Sequence, residues 1–105
     1  MFVKVYRYQI QEDKINHYLE IQQKVLKIYK EQLNIEVIYL QNQISPVNWI
    51  EMAFYKCEKE EYRKKIKLIN EQNEIQEYFN AFQATLIPGT EIVEEEYRNI
   101  PVVGQ

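Results

Sequence analysis

Apolar and polar residues alternate along four short stretches of the chain, and each alternation predicts a β-strand. The predicted strands are residues 2–8, 35–41, 49–56 and 92–98. Between the first two, apolar residues recur every three or four positions from Gln11 to about Gln32, which predicts a long helix. We expect Leu19 on its buried stripe and Ile21 off that stripe. We predict that Glu58 begins a second long helix. Asn73 interrupts it and caps a third helix, with Gln76 at the spacing of a capping box.

The stretch 49–55 has apolar side chains on both faces, which is typical of a central strand with packing on each side. We assign the aliphatic face of the sheet to the helices. That face contains Val3, Val5, Ile38, Leu40, Ile50, Met52 and Phe54. The opposite, aromatic face contains Phe2, Tyr6, Tyr8, Val37, Tyr39, Trp49, Ala53 and Tyr55.

The order of elements, β-α-β-β-α-β, predicts an α+β protein with a ferredoxin-like plait and a four-stranded antiparallel sheet. Right-handed crossovers place strands one and three in the centre, and we expect these two to run parallel to each other. Residues 94–96 are all glutamate, which suits an edge strand. We expect one domain over residues 1–100 and a C-terminal tail at 101–105.

The aromatic face favours a homodimer. The chain has nine tyrosines. Tyrosine is enriched at protein interfaces because its side chain combines a large apolar ring with a polar hydroxyl at the end. An aromatic patch of this size is unusual on a soluble monomer. A two-fold contact between two copies would bury it. We therefore predict a homodimer through the aromatic face.

Composition argues against several functional classes. The net charge is −3 and the lysines are scattered, so we expect no nucleic-acid partner. No apolar run approaches the ~20 residues of a membrane helix, so we expect no membrane association. The N-terminus runs straight into a strand, and we expect no targeting peptide. The single cysteine, Cys57, fits a reducing cytoplasm. Both glycines lie near the C-terminus, which excludes a glycine-rich phosphate loop.

Few residues are suited to catalysis or metal binding. His17 is the only histidine, and it lies opposite the buried stripe of its helix, so we expect it to be exposed. One histidine and one cysteine make a zinc site within one chain improbable. The only aspartate, Asp13, lies at a helix start, which leaves no Ser-His-Asp set. We expect no metal and no cofactor.

The best candidates for contact with a small molecule are aromatic side chains with polar tips and one carboxylate among them. They are Tyr6, Tyr39, Trp49, Glu51 and Tyr55. Such residues could line a pocket for a flat apolar ligand that a few hydroxyls orient. They could equally pack in the dimer face, and the sequence leaves both roles open. We also expect Glu51 to pair with Lys4 across neighbouring strands.

Two segments carry a family resemblance. Residues 49–56 (WIEMAFYK) lead into Glu60-Glu61-Tyr62, and residues 75–79 (IQEYF) precede 92–97 (IVEEEY). With the order of elements, these segments resemble the dimeric α/β-barrel superfamily, in particular antibiotic-biosynthesis-monooxygenase-like domains. The resemblance implies two sheets closed into one barrel, helices outside, and a pocket between sheet and helices in each subunit.

The resemblance also bears on which of the family's activities this chain could have. The haem-degrading branch of the family uses an Asn on strand one, a Trp ending strand three and a His on the next helix. The corresponding regions here offer Arg7 or Tyr8, then Tyr55, and no histidine. The resemblance therefore implies a cofactor-independent monooxygenase-like enzyme acting on a small aromatic metabolite, and an isomerase acting on such a metabolite stays open. The alternative is a non-catalytic small-ligand-binding or assembly module. A tyrosine-lined cavity of several hundred cubic ångströms favours the enzyme, and a filled core favours the module.

Overall fold

A four-stranded antiparallel sheet in the order β2-β3-β1-β4 forms the centre of the computed structural model, which describes residues 1–103. The strands are β1 (Phe2–Gln9), β2 (Ile35–Gln41), β3 (Asn48–Tyr55) and β4 (Val93–Arg98). The helices are α1 (Ile15–Gln32), entered through a 3₁₀ turn at Glu12–Lys14, α2 (Lys59–Asn70) and α3 (Asn73–Gln83). The predicted α+β, ferredoxin-like class is confirmed.

The two central strands run antiparallel, with Val5 opposite Met52, and the expectation of a parallel pair was wrong. The reason lies in the connections. The α1 crossover makes β2 parallel to β1, and the β2–β3 hairpin then reverses the chain. Strand β3 therefore enters the space beside β1 in the opposite direction. The acidic strand β4 lies at the sheet edge beside β1, as its charge predicted.

The aromatic face of the sheet packs against the helices, which reverses the assignment made from the sequence. Phe2, Ala53 and Tyr55 belong to one buried cluster with residues of all three helices. In a second cluster, the Trp49 ring lies 5.0 Å from that of Tyr18 on α1. The aliphatic face is the open one. Its side chains include Ile38 and Leu40, which are 47% and 45% exposed.

The reversal has a physical reason in the composition of the helices. Their inner faces carry aromatic rings among aliphatic side chains, and these rings pack against the rings of the sheet. Phe82 on α3 meets the Tyr8 ring edge-on at 5.1 Å, and Tyr62 on α2 meets the Tyr55 ring at 4.5 Å. The hydroxyls of Tyr8 and Tyr39 also have hydrogen-bond partners on α1, namely Tyr18 and Gln22, which reduces the cost of burying them. Tyr8 and Tyr55, which we expected on the face open to a second copy, are therefore buried within the subunit.

Helix details differ slightly from the predicted pattern. Ile21, expected off the buried stripe of α1, is in the core, whereas Leu19, expected on it, is largely exposed. Helix α3 is preceded by Gln72 as its cap residue, not by Asn73, and has no side-chain cap. Gln76 instead donates a hydrogen bond to the backbone oxygen of Asn70.

After β4, the first part of the predicted tail is exposed, including Val102 and Val103. The remaining two tail residues, 104 and 105, lie outside the described part of the chain. None of the helices between residues 1 and 103 is long and apolar enough to cross a membrane.

Candidate functional site

A cavity of about 520 Å³ lies between the aromatic face of the sheet and the helices. Its wall combines aliphatic side chains of α1 with phenol rings from sheet and helices. The phenols belong to Tyr6, Tyr8, Tyr29, Tyr39, Tyr55 and Tyr62. The carboxyl of Glu51 also lines the cavity.

The structure brings four of the five predicted site residues to this cavity, namely Tyr6, Tyr39, Glu51 and Tyr55. Trp49 lies outside the wall and packs in the neighbouring cluster with Tyr18. Within residues 1–103, its indole N–H is buried without a hydrogen-bond acceptor. All five side chains face the helices, so the interpretation that they form a dimer face is wrong.

Glu51 lies in the middle of β3, where the ladder places Tyr6 on one side and Tyr39 on the other. The Tyr8 hydroxyl donates a hydrogen bond of 2.9 Å to Glu51 Oε1. Burial raises the pKa of the Glu51 carboxyl to about 7, and the Tyr8 hydrogen bond opposes part of that rise. This carboxyl therefore exchanges its proton near neutral pH, in the range suited to general acid–base chemistry.

The Tyr8 hydroxyl is itself hydrogen-bonded to a second phenol, that of Tyr18. The Tyr18 hydroxyl, from α1, lies 2.6 Å from the Tyr8 hydroxyl, and Tyr18 is 0% exposed. Burial raises the pKa of both phenols above the ordinary range, so both remain neutral at physiological pH. The sequence analysis placed Tyr8 on the aromatic face but missed its contact with Glu51. The sequence did contain a signal for this contact. Tyr6 and Tyr8 lie two residues apart and so share one face of β1, and the carboxylate of Glu51 lies on the same face of the neighbouring strand.

Several other polar groups of the cavity also have hydrogen-bond partners. The hydroxyls of Tyr39 and Tyr29 donate to Gln22 Oε1 at 3.3 Å and to Asn70 Oδ1 at 3.0 Å. Lys4 does not pair with Glu51 as expected. Its Nζ lies 2.6 Å from a carboxylate oxygen of Glu94 on β4, and it also donates to the Tyr62 hydroxyl.

Burial works against the charge of the Lys4 ammonium group, yet the bond to Glu94 leaves its pKa raised. Lys4 is thus held charged at the edge of the cavity, with Glu94 as its counter-ion. Glu51, the other carboxyl of the wall, makes no ion pair within residues 1–103.

The remaining candidate groups lie away from this cavity. His17 is exposed and lies 3.8 Å from Glu20 on the same helix. Cys57 is a half-buried free thiol beyond the end of β3. Among residues 1–103, no three His, Cys, Asp or Glu side chains are grouped so that they could hold a metal ion. The cavity thus offers one carboxyl that titrates near pH 7 and a set of neutral phenols that can orient a flat ligand.

A scan of the sequence against family models and a search of curated proteins both gave no match. Solved structures do match, over nearly the whole chain. A mutant form of SnoaB, a cofactor-independent oxygenase from Streptomyces nogalater, aligns with a TM-score of 0.76 at 8% identity, covering 99% of this chain and 97% of that one.

Two further structures are similar. A candidate antibiotic biosynthesis monooxygenase from Nitrosomonas europaea aligns with a TM-score of 0.71 at 16% identity, covering 96% of this chain and 100% of its own. An uncharacterised NIPSNAP domain protein from Burkholderia xenovorans aligns at 0.73 and 13%, covering 100% and 98%. The resemblance to antibiotic-biosynthesis-monooxygenase-like domains is confirmed at the level of the fold.

Proposed function

We propose that this chain is a small enzyme of the cofactor-independent monooxygenase type, which begins its reaction by taking a proton from a flat aromatic substrate. The observation that carries the proposal is Glu51, a carboxyl with its pKa raised to about 7 on the wall of a phenol-lined cavity. The structural similarity to SnoaB, described as a cofactor-independent oxygenase, supports the reaction type.

The chemistry needs a base and an oxidisable substrate. The Glu51 carboxylate takes a proton from an acidic ring methylene, and the carbanion transfers electrons to O₂ to form a peroxide. Loss of water from the peroxide leaves a carbonyl, so that one CH₂ and one O₂ give one C=O and one H₂O. All the electrons come from the substrate. The role of the protein is to deprotonate the substrate and to hold it in a site shielded from water.

The cavity suits a flat molecule of a few fused rings. Its volume of about 520 Å³ lies within the typical range of roughly 300–1,000 Å³ for small-molecule sites. Val25 and Ile35 supply apolar walls, and Phe82 supplies a ring. The phenols can stack on a substrate ring and donate hydrogen bonds to its oxygens.

The test uses 1,8-dihydroxyanthrone, which has an acidic ring methylene and gives a coloured quinone on oxidation. We expect the protein to speed O₂ uptake and quinone formation above the rate without protein. We expect Glu51→Gln to reduce this catalysed rate by about 100-fold or more, as is typical for loss of a general base. Glu36→Gln is the matched control, because Glu36 is an exposed carboxylate on β2 that pairs with Lys56. It should leave the rate unchanged.

The alternative function has its own outcome in this experiment. If the probe binds, seen as quenching of Trp49 fluorescence, but is oxidised no faster than in buffer, the result favours a non-catalytic small-ligand-binding module. If Glu51→Gln oxidises the probe as fast as the unsubstituted protein, Glu51 is not the base and the proposal is wrong.

We also propose that two copies pair through the open aliphatic face of the sheet. A monomer would leave Ile38 and Leu40 of this face exposed to water, with the partly exposed Val3, Ile50 and Phe54 beside them, and soluble monomers rarely expose such a contiguous patch. A two-fold contact is self-complementary and would bury the patch against itself. This proposal keeps the predicted homodimer but moves it to the other face.

Light scattering tests the pairing. We expect a mass of twice 12.9 kDa for the protein, and 12.9 kDa for Leu40→Lys, which places a charge in the open face. Leu68→Lys is the control, because Leu68 is 64% exposed on α2, away from that face. It should remain a dimer. A monomeric unsubstituted protein at micromolar concentration would contradict the pairing.

We place the protein in the cytoplasm and treat residues 1–100 as one domain. Cys57 is a free thiol, which suits a reducing compartment. Fractionation of cells that express a tagged chain tests the location. Recovery in the soluble cytoplasmic fraction is the expected result, and recovery from a membrane or extracellular fraction would contradict it.

A further inference from the structure

Three side chains form a continuous line of hydrogen bonds that ends at the cavity. Tyr18 lies 2.6 Å from Tyr8, and Tyr8 donates to Glu51 Oε1 at 2.9 Å. A phenol carries a single hydrogen. Because Tyr8 gives its hydrogen to the carboxylate, the short contact behind it requires Tyr18 to donate to Tyr8. The direction of the line is therefore fixed, from α1 through β1 to β3.

The two oxygens of the Glu51 carboxylate have different surroundings. Oε1 accepts the hydrogen bond from Tyr8. Oε2 accepts no hydrogen bond from the part of the chain that the structure describes, and protein atoms do not fully enclose it. Oε2 therefore has open space beside it, and the space that Glu51 lines is the cavity.

We propose that Tyr8 and Tyr18 are positioning residues that hold Glu51 Oε1 and leave Oε2 as the atom that takes the proton of the substrate. The inference rests on the proposed function, because it names the basic atom of that site. A proton on Oε1 would either weaken the bond that this oxygen accepts from Tyr8 or point at Tyr8, whose hydrogen would then turn to Tyr18. The Tyr18 hydrogen would be left without an acceptor among the described residues, in a fully buried place, which is unfavourable.

The same line of bonds also tunes the carboxyl. A donor that accepts a hydrogen bond itself becomes a stronger donor, so Tyr18 strengthens the bond from Tyr8 to the carboxylate. A hydrogen bond to the charged form lowers a pKa. Loss of either hydroxyl should therefore make Glu51 hold its proton more tightly, and loss of Tyr8 should have the larger effect.

Within residues 1–103, none of the other titratable groups that face Glu51 makes a hydrogen bond or an ion pair with its carboxyl. They are Tyr6 and Lys4 on β1, Tyr39 on β2, Tyr29 on α1, Tyr55 on β3, Tyr62 on α2 and Glu94 on β4. Tyr39→Phe removes a phenol of the same cavity whose hydroxyl donates to Gln22 and not to Glu51. It is therefore the matched control for the two phenols of the line.

The experiment is an NMR titration of protein labelled with carbon-13 at the glutamate carboxyls, in which Glu51→Gln identifies the signal of Glu51. We expect Tyr8→Phe to raise the pKa by about one unit, a tenfold fall in the proton dissociation constant. We expect Tyr18→Phe, which acts through Tyr8, to lower that constant by about threefold. Tyr39→Phe should leave it unchanged. Equal titrations in Tyr8→Phe, Tyr18→Phe and the unsubstituted protein would overturn the inference.

A second measurement needs no variant and covers the case in which Tyr18→Phe does not fold. The unsubstituted protein should show a strongly downfield hydroxyl proton for Tyr18, protected from exchange and close in space to the Tyr8 ring. Absence of this signal at low temperature would also overturn the inference.

The outcomes separate this inference from the proposed function. If the pKa of Glu51 responds to both phenols but the anthrone is not oxidised, the two phenols still hold Glu51 while the proposed reaction fails. If the anthrone is oxidised through Glu51 but neither phenol changes its pKa, the reaction stands and the positioning role is wrong.

Discussion

Glu51 lies at the centre of the sheet, between Tyr6 on β1 and Tyr39 on β2, with its carboxyl toward the helices. At that depth water is partly replaced by rings, and the charged form loses solvation. Among residues 1–103, the Tyr8 hydroxyl alone donates a hydrogen bond that offsets this loss. The buried carboxyl is therefore a weaker acid than an exposed one, which suits the role of base that we propose for Glu51 near neutral pH.

The raised pKa of Glu51 makes stability depend on pH. Between about pH 4.5 and 7 the folded protein binds a proton at Glu51 that the unfolded chain has released. Stability contributed at this position is therefore present below pH 4.5 and is lost as pH rises through 7, by up to about 3 kcal/mol. We expect Glu51→Gln to remove this loss. In urea unfolding, the free energy of unfolding of the variant relative to that of the unsubstituted protein should be higher at pH 8 than at pH 4.5. The same difference in free energy at both pH values would contradict the prediction.

Trp49 is 6% exposed and packs under Tyr18, so its main role is in the core. We expect Trp49→Ala to lower the free energy of unfolding by about 3–5 kcal/mol, because a large cavity replaces the ring. Denaturant unfolding measures this loss. Trp49→Phe is the control and should lose less, since it keeps an aromatic ring. A loss below about 1 kcal/mol for the alanine variant would mean that the ring is not buried.

The elements themselves were predictable because their signals are local. Strand β2 has the predicted bounds, 35–41. The helices also begin within a few residues of the predicted starts at Gln11, Glu58 and Asn73. Which face of the sheet the helices cover was not predictable in the same way. Both faces of β3 are apolar, so the choice depends on which side chains α1, α2 and α3 present, and a single strand holds no information about that.

The candidate site was predictable only in part, for a related reason. Tyr6, Tyr39, Glu51 and Tyr55 come together because strand periodicity puts them on one face. The contact of Tyr8 with Tyr18 joins a strand to a helix and depends on how far the helix turns about its axis. Ile21, whose place in the core was missed, shows that this rotation was misjudged.

The turn between α3 and β4 depends on Gly89, whose φ is +83°. A side chain at this φ is strained although the space around Gly89 is open. We expect Gly89→Ala to reduce stability by about 1 kcal/mol, measured by thermal unfolding. Gly89→Asn should lose less, because Asn tolerates this conformation. An alanine variant as stable as the unsubstituted protein would show that the turn relaxes to a negative φ.

At the scale of the whole molecule, the two faces of the sheet have separate roles. The aromatic face and the helices enclose the cavity with Glu51, and the aliphatic face is the open one, through which we propose that two copies pair. In this arrangement each subunit has a complete site. The site and the proposed interface lie on opposite sides of one sheet.

Pairing should make stability depend on protein concentration, because association removes folded monomer from the unfolding equilibrium. We expect the melting temperature to rise with concentration for the unsubstituted protein and to be independent of it for Leu40→Lys. Differential scanning calorimetry over a hundredfold range of concentration measures this. A melting temperature that does not change with concentration in the unsubstituted protein would contradict the pairing, whatever the behaviour of the variant.

The most direct test of the account is the pKa of the Glu51 carboxyl, measured by carbon-13 NMR titration and checked in the Leu40→Lys variant. We predict a midpoint near pH 7 in both proteins, because burial beneath the helices sets the value and pairing does not. A midpoint near 4.5 would place the carboxyl in water and contradict both the buried site and the role of Glu51 as its base.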